Sequence, residues 1–98
     1  MILEVATLNV REGQNAEFEA AMRQALPLIM ASPGYIRHTL NHCLENPARY
    51  VFLVEWETLE AHTVGFRGSP PYQEWKRMLH HFYDPPATVE HYEEVKFE

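Results

Sequence analysis

Arg49-Tyr50-Val51-Phe52-Leu53-Val54-Glu55-Trp56 is the most β-prone run of the chain, and it follows the turn residues Glu45-Asn46-Pro47-Ala48. β-branched and aromatic side chains suit a pleated surface packed on a core. Asn and Pro reverse the chain just before them. With the extended stretch Tyr35 to Leu44 upstream, this reads as a hairpin of two strands. Working back, Ser32-Pro33-Gly34 stops a helix, because Pro disfavours helical geometry at the residue before it and Gly supplies turn dihedrals. Phe18, Ala21, Met22, Ala25, Leu28 and Ile29 recur at helical spacing, with Asn15 as a possible cap and Glu17 in the first turn. Pro27 removes one donor from that helix and predicts a kink or a short last turn. Before it, Met1 to Val10 is rich in Ile, Leu and Val and halts at Arg11-Glu12-Gly13, as a strand does.

Downstream, Thr58 can cap a second helix with Leu59, His62, Phe66 and Val64 turned inward, until Gly68-Ser69-Pro70-Pro71 breaks it. Tyr72, Trp75, Met78, Leu79 and Phe82 then predict a helix over about 71–81, ended by Asp84-Pro85-Pro86. Val89 to Phe97 alternates apolar and polar residues as a last strand. Strand, helix, strand, strand, split helix, strand is the α+β, ferredoxin-like βαββαβ order, an antiparallel sheet with helices on one face. Ninety-eight residues suffice for one core, so residues 1–98 are expected to form a single domain.

Both sheet faces are apolar. In the first strand they read Leu3, Val5, Thr7 and Ile2, Ala6, Leu8; the third offers Phe52, Val54, Trp56 against Val51, Leu53. Helices cover only one of these, so a homodimer through the open sheet face is expected. A 46% hydrophobic content agrees with that need for cover. The net charge of −6 and the lack of a Lys/Arg cluster argue against nucleic acid. No run approaches the ~20 apolar residues that span a bilayer, and Met1-Ile2-Leu3-Glu4-Val5 lacks the basic start of a signal peptide, so no membrane contact and a cytoplasmic location are expected. Cys43 has no partner for an intramolecular disulfide.

Ser32-Pro33-Gly34-Tyr35, the run Asn46 to Trp56 with Thr58 and Ala61 after it, and Gly68-Ser69-Pro70 before an aromatic together resemble the antibiotic biosynthesis monooxygenase family over nearly the whole chain. The resemblance implies a dimeric α+β barrel with a pocket between sheet and helices in each subunit. It also implies one of two activities, cofactor-free oxidation of polyketide quinols or anthrones by molecular oxygen or haem degradation, beside the many members with no known activity. Members often carry a His a few residues before the serine-proline pair; here Phe66 stands there, with His62 one turn earlier. Ala6 or Thr7 replaces the strand-one asparagine of the haem degraders and Gly65 or Phe66 their tryptophan, which disfavours haem.

Cofactor-free oxygenation needs a base, a deprotonatable electron-rich substrate and a dry cage. His62 is the candidate base, since imidazole titrates near neutral pH; a structural His bonded to a carbonyl is the competing reading. His38, Trp56, Phe66, Tyr72 and Trp75 are the candidate substrate-binding residues. Phe66, Tyr72, Trp75, Met78 and Phe82 also read as ordinary core, the preferred account of Met78, Leu79 and Phe82. His38 and His42 are too far apart along one strand to share a metal, and His80-His81 with Asp84 suits a helix C-terminus. Glu55 is expected to pair with Arg37 or Arg49. No metal-ligand pattern, flavin loop or haem ligand set is present, so neither a metal site nor a cofactor is expected. The leading function is a monooxygenase acting on a small aromatic, quinol or polyketide-like molecule without cofactor. The alternatives are a non-catalytic small-molecule-binding or stress-responsive barrel, and an isomerase or cyclase using His62 without oxygen.

Overall fold

β3 (Arg49–Trp56) lies in the middle of the sheet, paired on one side with β2 (Tyr35–His42) and on the other with β1 (Ile2–Asn9), which in turn pairs with β4 (Thr88–Tyr92). All three pairings are antiparallel, giving the order β2-β3-β1-β4 of a ferredoxin-like fold. The structure is a computed structural model and describes residues 1–97. Helix α1 (Asn15–Met30) and helix α2 (Pro70–Leu79) cover one face, with a π-helix (Ala61–Phe66) before α2 and a 3-10 turn (His80–Phe82) after it. Strand alternation puts Ala6 and Leu8 of β1 beside Phe52 and Tyr50 of β3. On these pack Phe18, Met22, Ala25 and Ile29 of α1 and Trp75 and Leu79 of α2, all buried. Each such large side chain contributes about 1.5–3 kcal/mol on burial. The opposite face presents Leu3, Val5, Val51 and Leu53 partly exposed, and Arg37 pairs with Glu55 there at 2.8 Å.

Four expectations change. Asn15 does not cap α1: the flanking residue is Gln14, without a side-chain cap. The Asn15 amide instead donates to Pro47 O at 2.7 Å and to Tyr50 Oη at 3.1 Å, tying the helix start to the hairpin. β2 stops at His42: Cys43 N–H still donates to Arg49 O at 2.9 Å, but Leu44 and Glu45 bend away ahead of the turn that Arg49 N–H closes on Asn46 O at 3.0 Å. β4 stops at Tyr92: with Leu3 opposite Tyr92, β1 offers no further paired residue beyond Ile2.

The fourth is the second helix. Thr58 does cap it, Oγ1 accepting from Ala61 N–H at 3.1 Å. Its turns, however, close five residues apart, as in Arg67 N–H to His62 O at 3.1 Å. The wider winding turns Leu59 and Val64 outward, 40% and 67% exposed, while His62 and Phe66 stay buried. Gly34 seats this helix on the sheet. Its φ of 90° lies where other residues are strained, and a Cβ on it would sit 2.6 Å from Ala61 Cβ.

Candidate functional site

Between the sheet and the second half of the helical layer lies a cavity of about 390 Å³. Phe52, Phe66, Tyr72 and Trp75 form its apolar wall, and Glu4, His62 and Arg67 one polar end. Exposed His80 and Pro86 stand at the border with solvent. The π-turn determines the polar end. In an α-helix, Arg67 would point about 140° away from His62; closing the turn at five residues brings it back above His62, onto the same cavity.

A connected row of polar groups crosses this end. Trp56 Nε1–H donates to Glu4 Oε1 at 2.9 Å. His62 Nε2 approaches the same oxygen at 3.4 Å. His62 Nδ1 and His91 Nε2 are 2.8 Å apart, one donating and the other accepting. The sheet supplies two members, since Glu4 of β1 lies directly opposite His91 of β4; the π-helix lays His62 on both and stacks it on the Trp56 ring, 5.2 Å between centroids at 18°. Glu4 and His62 are buried and His91 half-buried, so the row leads from the interior toward the edge of the sheet.

Burial pushes the Glu4 carboxyl up to about 6, against the Trp56 hydrogen bond and the Arg67 charge, which hold it down. Burial first, then the positive charge of Arg67 and of His91, pushes His62 down to about 3. His91 is lowered by the same two causes, burial and Arg67. Near neutral pH the end therefore holds one carboxylate, one guanidinium and neutral imidazoles. His62 Nδ1 is engaged with His91, while Nε2 only lies near Glu4 Oε1. Glu4 Oε2 accepts no hydrogen bond among the described residues, and none of their fully buried polar side-chain atoms lacks a partner, so Oε2 is open to the cavity.

The sequence model described as antibiotic biosynthesis monooxygenase matches residues 1–78. The chain belongs to the antibiotic biosynthesis monooxygenase family. An uncharacterized Bacillus subtilis protein, YczJ, is 56% identical over 95 residues, 97% of this chain and 100% of that protein. A crystal structure from Bordetella bronchiseptica, assigned to the same family, superposes with a TM-score of 0.92 at 38% identity over 97% of both chains. SnoaB of Streptomyces nogalater, a cofactor-independent oxygenase, superposes with a TM-score of 0.83 over 98% of this chain and 94% of its own, at 19% identity; that likeness is one of fold.

In this family member His62, Phe66, Tyr72 and Trp75 border the cavity. Trp56 does not border it: fully buried, it stands behind Glu4 and reaches the site through its indole N–H. His38 does not border it either. Its Nδ1 bonds Tyr35 Oη at 2.6 Å and its ring packs on Phe52, because β2 is the far edge of the sheet. Glu4, Arg67 and His91 went unread, and so did the cavity-facing position of His80. For Glu4 a signal existed, the two-residue alternation that puts it on the face of Ala6 and Leu8.

The low position of His62 carries a stability consequence. Unfolded, an imidazole takes up a proton below its ordinary value of 6.5; folded, His62 resists until about 3. Between those values the unfolded state binds more protons, so His62 makes stability fall as pH drops. Glu4 acts oppositely between 6 and 4.5, where the folded state holds the extra proton. In urea titrations at pH 7 and pH 5, His62→Leu is expected to lose less stability on acidification than wild type. An equal loss in both chains contradicts a neutral buried His62.

Proposed function

We propose that this chain is a monooxygenase that uses molecular oxygen without metal or organic cofactor on a small aromatic, quinol-like substrate, with Glu4 as its acid–base residue and His62 as the residue that positions it. The observation that carries the reading is one unengaged carboxylate oxygen, Glu4 Oε2, facing an aromatic-walled cavity. A carboxyl titrating near 6 is a far better base at neutral pH than a free one. Oε2 takes a proton from the substrate. The resulting carbanion or phenolate reacts with oxygen to form a C–O bond, the Glu4 proton returns to the peroxide, and loss of water leaves a new carbonyl. One molecule of oxygen is consumed and one of water released, and no other oxidant or reductant is needed. His62 steadies the carboxylate through Oε1, a positioning role for the residue first read as the base. Family membership and the cofactor-independent oxygenase among the structural neighbours support the reading.

An oxygen electrode tests it with naphthohydroquinone and anthrone. Wild type is expected to consume oxygen in proportion to product. His62→Ala, folded by thermal melt, is expected to lose turnover, but less than the ~10²-fold that marks the loss of a base. Binding of both compounds without oxygen uptake would favour the non-catalytic reading.

The partly exposed Leu3, Val5, Val51 and Leu53 support a homodimer through the open sheet face. Light scattering after gel filtration is expected to give twice the mass of one chain, and Leu53→Glu to give the single-chain mass. A wild-type monomer at micromolar concentration removes that part of the proposal.

A further inference from the structure

We propose that Arg67 is the anion-binding residue of the cavity, the group that faces the oxyanion formed when a hydroxyl substrate gives up its proton. This adds a residue to the site proposed above and rests on that site being the place where substrate binds.

Arg67 borders the cavity on the same turn as His62, brought there by the five-residue hydrogen bond from its own N–H. Arg11, Arg37 and Arg77 each have a carboxylate, from Asp84, Glu55 and Glu74; Arg67, like Arg23 and Arg49, has none within ion-pair distance among the described residues, and of these three Arg67 alone borders the cavity. A guanidinium offers five N–H donors in a planar fork and accepts nothing, so a half-buried one beside a cavity favours an oxygen anion there. It stands at the same end as the base, since Glu4, His62 and Arg67 line one cavity and Arg67 N–H bonds His62 O at 3.1 Å.

Charge balance selects the substrate class. Before binding, the end holds one anion, Glu4, and one cation, Arg67. When Oε2 takes the hydroxyl proton, the O–H bond breaks, its electron pair stays on the substrate oxygen facing the guanidinium, and Glu4 becomes neutral. The negative charge has moved by one molecule's width and the total is unchanged, which avoids burying an uncompensated ion. A permanent carboxylate ligand would instead place two anions against one cation. A compound with no ionisable group would leave Arg67 unused. The aromatic wall of Phe52, Phe66 and Trp75 holds the ring.

p-Nitrophenol is the probe, because its phenolate has a visible band that the neutral phenol lacks. At pH 6 wild type is expected to bind it and raise that band. Arg67→Met is expected to lose the band and about tenfold or more in affinity, while Arg67→Lys, which keeps the charge, retains part of both. Nitrobenzene is expected to bind wild type and Arg67→Met alike, and p-nitrobenzoate to bind wild type more weakly than p-nitrophenol. Arg77→Gln, on the exposed face of α2, serves as the unchanged control. An undiminished band and affinity in folded Arg67→Met, tighter binding of p-nitrobenzoate, or no binding of p-nitrophenol to wild type at millimolar concentration overturns the proposal. None of these readouts needs oxygen. A phenolate band without oxygen uptake leaves the Arg67 site standing and ends the monooxygenase reading. Oxygen uptake indifferent to Arg67→Met does the reverse.

Discussion

Glu4→Gln is expected to lower oxygen-dependent turnover of a quinol about 10²- to 10⁴-fold, the usual worth of a positioned base, while making the protein more stable at pH 8. The side chain keeps its shape, and the amide oxygen still accepts the Trp56 N–H that Oε1 accepts at 2.9 Å in the parent. What is lost is the lone pair that takes a proton. The stability gain follows from the rise of the carboxyl from 4.5 to about 6. Between those values the folded state binds more protons than the unfolded one, so wild-type stability falls as pH rises through that window. Above it the fold carries an ionised buried carboxylate at a cost of about 2 kcal/mol. Glutamine never ionises, so its advantage is present at pH 8 and gone near pH 4. Denaturant titrations at both values, beside oxygen-electrode rates, check both halves. A base also predicts an order among variants, with Glu4→Gln costing more turnover than His62→Ala. Turnover within about threefold of wild type would reduce Glu4 to a structural role.

Gly34→Ala is expected to cost about 3 kcal/mol and to lower the melting temperature by about 10 °C or more. Two penalties combine. An L residue held at a φ of 90° loses about 1–2 kcal/mol. The new methyl would also meet Ala61 Cβ at 2.6 Å, and neither partner is a flexible chain end that can move aside. Relieving the second penalty separates them: in an Ala61→Gly background, Gly34→Ala is expected to cost at least about 1 kcal/mol less. Calorimetry on the four chains of that cycle reads the coupling directly. Because the π-helix sits on this contact, the phenolate band of bound p-nitrophenol should weaken in Gly34→Ala and recover in the double variant. Additive effects would mean that Gly34 is needed for its dihedral alone.

Element types and their order were legible because each rests on local chemistry. The run from Arg49 to Trp56 is a strand by composition, Ser32-Pro33-Gly34 stops a helix by dihedral preference, and Asn46-Pro47 turns the hairpin. Alternation alone sets the parity that places Ala6, Leu8, Phe52 and Val54 on one face. The same parity places Glu4 among them, although a lone charge in an apolar strand reads more readily as a solvent-facing residue.

Tertiary structure decided the rest. His91 meets Glu4 only through the β1–β4 register, which joins residues distant along the chain and leaves no local trace. Arg67 joins His62 only because the second helix closes at five residues instead of four. The choice between those windings is a matter of packing against Gly34 and the sheet, with nearly the same side chains satisfying either. The shifts at Glu4 and His62 are likewise properties of burial, which no residue carries by itself. Sequence supplied a carboxylate on β1, an imidazole and a guanidinium five residues apart at the second helix, and a second imidazole on β4; pairing register and one widened turn brought them to the same end of one cavity.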